Sequence, residues 1–194
     1  MSSGAPSRFT EAEYLALERA SDQKHEFVDG AIVAMAGARP PHNAIATNIA
    51  AALVQLTRTR DCITLNSDQR VHVPATGLYT YPDVTVACGE RRYKQDDPPS
   101  LVNPTVIVEV TSDSSEDFDR GRKFLHYQGI PELREYIIVS HRERRIDCFR
   151  RVADGHWHLT THKNDEAAVD LPSLGGSFLV ADAYAKVDLD EGRR

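Results

Sequence analysis

Long apolar runs are missing from this 194-residue chain: none approaches the ~20 residues needed to cross a bilayer, so no membrane span is expected. The opening stretch MSSGAPSRFTEAEY has no apolar h-region, so no signal peptide is expected either. Cysteine is scarce: Cys62, Cys88 and Cys148 are odd in number, far apart and never in a CxxC pair. They are expected to be reduced and mostly buried, which suggests the cytoplasm. No Walker loop, GxSxG elbow or Rossmann glycine fingerprint occurs, so nucleotide-hydrolase, serine-hydrolase and dehydrogenase readings lack support. Positive charge is in deficit too. A net charge of −6 means that the overall field should not draw the protein to nucleic acid.

What remains is ordinary globular material. A length of 194 residues suffices for one domain with a proper core, with residues 1–8 and 188–194 expected as flexible tails. The charges are unevenly spread. HRERRIDCFRR, residues 141–151, carries five arginines, while TSDSSEDFD, residues 111–119, is acidic. The arginines either form one basic face for a phosphate backbone or are the solvated faces of two strands. In the acidic run, Asp113, Glu116, Asp117 and Asp119 are too irregular for a calcium loop. They are expected to favour the N-terminus of the next helix through its dipole.

Thr10 and Glu13 form a capping-box pattern that opens a short helix through Arg19, with Tyr14 and Leu17 inward. EFVDGAIVAMAG reads as a strand pair turning at Asp29-Gly30. Pro40 and Pro41 open a long helix to about Arg60, with Ile45, Ile49, Ala52, Leu53 and Leu56 at helical spacing. Four extended stretches follow: CITLNSDQRVHV, YTYPDVTVAC, PTVIVEVTS and EYIIVSH. A helix over about 118–128 separates the last two, so those strands should be parallel. Residues 144–152 and 156–161 flank Asp154-Gly155 as an antiparallel hairpin, and SFLVADAYAKV closes the chain with a short helix. The sum is an α/β fold: a mixed sheet with helices packed on it.

VIVEVTS poses the chemical question. Glu109 interrupts a strand whose β-branched neighbours read as buried on both faces, so its carboxylate needs a cation, a donor or a metal beside it. Asp83 follows Pro82 at the start of another apolar strand, where backbone pairing fails and a ligand can enter. If the two strands are neighbours, Asp83 and Glu109 converge, as hard divalent cations require. Lys123 on the following helix could project its ammonium toward them. The competing reading pairs Lys123 with Asp119 at i,i+4 on a solvated face.

Pro82-Asp83, Glu109 in a hydrophobic strand and then a basic residue resemble the PD-(D/E)xK nuclease signature. In its standard form the lysine stands two residues after the glutamate, and here that position is Thr111. A closer resemblance is to the Uma-two family, small bacterial proteins grouped with the restriction endonucleases. It is carried by HEFVDGAIV, a helix opened by His42, YPDVTV, VIVEVTS and DRGRKFLHYQGIPELREYIIV, in order from about Glu11 to Val180. In that family the lysine lies on the following helix, which Lys123 with Tyr127 fits. One position departs: the family usually has proline where this chain has Asp113.

The resemblance implies a restriction-endonuclease-like fold, with a mixed central sheet flanked by helices, a C-terminal hairpin and a metal site at one sheet edge. Asp83, Glu109 and the Val110 carbonyl would hold magnesium or manganese, Lys123 would orient water or neutralise developing charge, and Glu26 would serve as outer ligand or general base. The expected function is metal-dependent endonucleolytic hydrolysis, of DNA more than RNA, by a homodimer. The alternative is an inactive nuclease-fold module that binds nucleic acid or a protein partner. His156, His158 and His162 could chelate a transition metal, but an exposed hairpin face explains them equally well.

Overall fold

The computed structural model describes residues 8–35, 37–112 and 118–189. Asp113, Glu116 and Asp117 therefore lie outside the described residues, as do most of both expected tails.

Helix α1 (Glu11–Ala20) opens with the expected capping box, in which Thr10 Oγ1 accepts from the Glu13 N–H and Glu13 Oε2 from the Thr10 N–H. Its buried face is Tyr14 and Glu18; Leu17, expected inward, is 37% exposed. Tyr14 stacks on Phe27 with ring centroids 5.1 Å apart. One turn on, Glu18 accepts hydrogen bonds from the His25 N–H and the Tyr81 hydroxyl. Partners for that carboxylate make its burial acceptable, and the stripe they define turns Leu17 outward.

Strands β1 (His25–Val28) and β2 (Ala31–Ala34) pair antiparallel around Asp29-Gly30, whose φ values of 50° and 82° suit a tight hairpin. Helix α2 (Pro40–Thr57) begins at the two prolines and buries Ile45, Ile49 and Leu53 along one face.

Two of the expected extended stretches are each divided between sheets. CITLNSDQRVHV supplies β3 (Cys62–Asn66) and β4 (Val71–Val73), and YTYPDVTVAC supplies β5 (Leu78–Thr80) and β6 (Val84–Cys88). Pro82 has no N–H for a ladder, so the chain leaves one sheet at Thr80 and enters the other at Val84. The two-residue strands β7 (Tyr93–Lys94) and β8 (Ser100–Leu101) precede β9 (Val106–Val110). Helix α3 starts as a π-helical turn (Asp119–Lys123) and continues as α-helix (Phe124–Tyr127). Then come β10 (Glu135–Val139) and the hairpin of β11 (Ile146–Arg151) with β12 (Trp157–His162). The C-terminal stretch differs from expectation: β13 (Ala168–Leu171) and β14 (Gly176–Leu179) form a further hairpin, leaving α4 only Val180–Ala183.

The first sheet runs β2-β1-β5-β4-β8-β7 and the second β12-β11-β10-β9-β6-β3. Within the second, β9 and β10 are parallel, as expected for strands joined through a helix, and β6 runs antiparallel to β9. Period-two alternation along β9 sorts its side chains. Val106, Val108 and Val110 join Ile45, Ile49 and Leu53 of α2 in one core, while Ile107 joins Val71, Leu78 and Tyr127 in the other. Glu109 shares the face of Ile107, between the two sheets.

The expectation of three reduced cysteines is corrected for two of them. Cys62 and Cys88 face each other across the β3–β6 ladder and are joined as a disulfide, and Cys148 alone is a free, buried thiol. Sequence spacing of 26 residues hid the pair; strand register brings it together. Among the described residues, no helix is long and apolar enough to cross a membrane.

Candidate active site

Each sheet contributes to one buried polar cluster. Glu26 comes from β1 and Thr80 from β5, on the first sheet; Glu109 comes from β9, on the second; Asp119, Lys123 and Tyr127 come from α3. Residues 119, 123 and 127 fall at i, i+4 and i+8 and so line one side of their helix.

Lys123 is the hub. Its Nζ lies 2.9 Å from Glu26 Oε1, 3.0 Å from Glu109 Oε1 and 3.4 Å from Asp119 Oδ1. The side chain is only 7% exposed, so the reading of a lysine on a solvated helix face is corrected, although its i,i+4 contact with Asp119 does form. Tyr127 donates its hydroxyl proton to Glu109 Oε1 at 2.7 Å, and Thr80 donates to Glu26 Oε1. Glu109 thus has both kinds of partner that its burial demanded, a cation and a hydrogen-bond donor.

Asp83 stands one residue before Val84, which pairs with Val108, so it sits just beyond the end of the ladder, close enough for its charge to act on Glu109. Its Oδ2 accepts the Val110 N–H at 2.7 Å and lies 3.4 Å from His42 Nε2. The β6–β9 pairing ends at Val84 and Val108, so the carboxylate gives the Val110 N–H the acceptor that no β6 carbonyl provides. His42, in the first turn of α2, is brought to Asp83 because α2 packs on the other face of the same sheet.

Electrostatics follow from the crowding. Burial pushes the Glu109 pKa well above the usual carboxylate range; the charges of Asp119, Asp83 and Glu26 add to the rise, and Lys123 opposes it. Burial alone would depress the Lys123 pKa, but Glu109 and Glu26 hold it well above its ordinary value. Burial likewise opposes charge on His42, yet the hydrogen bond and charge of Asp83 leave its pKa raised. Three carboxylates face one ammonium at the hub, an excess of two negative charges. That excess adds to the rise of the Glu109 pKa that burial begins, and it equally favours a divalent cation.

The donor chemistry fits a hard cation, because Asp83, Glu109 and the Val110 carbonyl offer only oxygen, and magnesium sites commonly use one or two carboxylates plus water. Among the described residues, Asp83 Oδ1 and Glu109 Oε2 carry no hydrogen bond. No group of three or more His, Cys, Asp or Glu side chains is placed to hold a metal among them; the cation among the carboxylates is the Lys123 ammonium.

Other candidates are not drawn in. Thr111, at the usual lysine position, is buried, and its hydroxyl contacts His141 Nδ1 at 2.9 Å. His156 and His158 are exposed and join no metal cluster among the described residues. Several arginines of 141–151 are engaged within the chain: Arg144 with Asp165, Arg145 with Asp147, Arg150 with the Asp170 carbonyl and Arg151 with the carbonyls of Gln128 and Ile130. Asp119 and Thr80 were missed as cluster members. The i,i+4 spacing of Asp119 to Lys123 was the available signal for the first; nothing local marked the second.

Two mixed sheets packed with helices, and a carboxylate–lysine cluster where they meet, define a protein of the restriction-endonuclease-like class. A crystal structure described as a putative nuclease of the DUF820 family from Anabaena variabilis superposes with a TM-score of 0.74 at 16% identity, covering 91% of this chain and 98% of that one. The chain belongs to the Uma2 family, described as "Putative restriction endonuclease", which it matches over residues 11–181. Two Synechocystis relatives are uncharacterized proteins. One, slr1290, is 35% identical over 172 residues, 89% of each chain; the other, sll1609, is 33% identical over 161 residues, 83% of this chain and 91% of that one.

Proposed function

We propose that this protein is a divalent-metal-dependent endonuclease, folded as one domain, that hydrolyses phosphodiester bonds in nucleic acid, DNA in preference to RNA. The observation that carries the reading is the hub: three buried carboxylates share one lysine, with Asp83 bonded to the Val110 N–H at the adjoining strand end. Asp83, Glu109 and the Val110 carbonyl would hold magnesium or manganese. When bound, the ion supplies positive charge to the scissile phosphate and makes water more acidic.

The chain's own residues supply the rest. Lys123 neutralises charge that develops on the phosphoryl oxygens, from a site dry enough to make that charge count. Glu26 holds the ammonium in place and serves as the proton acceptor for the attacking water. We place the enzyme in the cytoplasm as a homodimer, so that two sites meet two strands. The cytoplasmic assignment rests on the substrate, since Cys62 and Cys88 are not the reduced thiols that would have supported it.

One observation favours a second reading, a nuclease fold that binds nucleic acid or a protein without cutting. Asp83 Oδ2 and Glu109 Oε1 are already satisfied by groups of the chain itself. The deciding experiment incubates the protein with supercoiled plasmid DNA, and with RNA, with and without manganese. Metal-dependent nicking that disappears in Asp83→Asn and Glu109→Gln supports the enzyme. Absence of nicking by the wild-type chain, or equal nicking by both variants, rejects it.

A further inference from the structure

The hub is closed by a hydroxyl that no motif marks. Thr80 is fully buried in β5, on the last residue of the first sheet before the chain crosses to Asp83. Its Oγ1 donates to Glu26 Oε1, the same oxygen that faces Lys123. The Tyr127 hydroxyl lies 3.5 Å from Thr80 Oγ1 and donates to Glu109 Oε1 at 2.7 Å. The contacts therefore form a ring: Lys123, Glu26, Thr80, Tyr127, Glu109 and back to Lys123. Three of these residues lie on sheet strands, two on α3, and the two hydroxyls face each other where the sheets meet.

From this geometry we propose that Thr80 is a positioning residue, fixing the Glu26 carboxylate so that Lys123 is shared between Glu26 and Glu109. This rests on the nuclease reading only for its kinetic consequence. Proton accounting gives the reason. Each hydroxyl has one proton: that of Thr80 goes to Glu26 and that of Tyr127 to Glu109. Neither carboxylate can turn away without stranding a buried donor, which is costly. Without the Thr80 hydroxyl, Glu26 keeps only Lys123, and the ammonium follows whichever carboxylate moves. Hydrogen-bonding groups behind a site's primary residues typically control activity by ~10–100-fold.

Two variants separate hydroxyl from shape. Thr80→Val keeps the branched outline and removes the donor; Thr80→Ser keeps the donor. In manganese-dependent cleavage of a labelled DNA, Thr80→Val is expected to lose about 10-fold or more in kcat with KM nearly constant. Thr80→Ser is expected to recover most of that loss, with both variants melting close to wild type. Unchanged kcat in Thr80→Val, or equal damage in both variants, overturns the proposal. Crystal structures of the two variants give a reading free of activity: in Thr80→Val the Glu26 carboxylate should shift and draw Lys123 away from Glu109, and in Thr80→Ser both should stay in place. An unmoved Glu26 in Thr80→Val overturns the positioning role. Absence of cleavage by the wild type overturns the nuclease reading alone.

Discussion

Tyr127 and Lys123, one helical turn apart on α3, both meet Glu109 at Oε1, at 2.7 and 3.0 Å. A single carboxylate oxygen thus receives a neutral donor and a cation from the same helix face. Lys123 closes the π-helical turn Asp119–Lys123, whose first residue adds another carboxylate to the lysine. The geometry makes α3 the element on which the cluster depends.

Removing the ammonium should therefore be costly to the fold itself. Lys123→Met leaves Glu26, Glu109 and Asp119 buried together without a cation. A loss of about 3–5 kcal/mol is expected in urea unfolding near neutral pH. A loss below about 1 kcal/mol would show that the cluster is open to water and that its charges are screened.

Metal should reverse part of the excess negative charge. Manganese at about 100 times its Kd should stabilise the folded chain by about 2.7 kcal/mol, read as a rise in Tm. Asp83→Asn combined with Glu109→Gln should abolish that rise while keeping the fold, because each amide keeps an oxygen to accept its present hydrogen bond. A Tm that ignores manganese in the wild type rules out a bound ion and favours the non-cutting module; an equal rise in the double variant places the ion elsewhere.

Acid should loosen the link between α3 and β11. Burial of Asp147 pushes its pKa up, but hydrogen bonds from Thr161, Arg120 and Arg145 outweigh it and hold the carboxyl below the usual range. A lowered folded pKa means that its stabilisation is complete above the unfolded value, about 3.9, and fades as pH falls through the folded one. Asp147→Asn should make the acid limb of the stability profile, below about pH 4, shallower. An identical slope in the two proteins would exclude Asp147 from the acid response.

The cross-strand disulfide should be visible both chemically and energetically. Unfolded under non-reducing conditions, the chain should expose the Cys148 thiol alone. Cys62→Ser with Cys88→Ser should cost about 3.5 kcal/mol by the chain-entropy relation for a closed loop of this length. Three reactive thiols in the wild-type chain would contradict the bond.

Local pattern was enough for much of this protein. A continuous run of β-branched residues identified β9 and made the Glu109 carboxylate conspicuous, because a strand buried on both faces leaves no solvated side for a charge. The Thr10–Glu13 box, the Asp29-Gly30 turn, the two prolines opening α2 and the parallel crossover through α3 were legible for the same reason: each depends on neighbours within one turn or one connection. Tertiary structure alone decided which carboxylates surround Lys123. Thr80 meets Glu26 across 54 residues of chain, and Cys62 meets Cys88 by register. Glu18 displaced Leu17 as the buried residue because its partners, His25 and Tyr81, come from elsewhere in the fold. Such contacts are set by how two sheets pack, and packing leaves no period in the sequence.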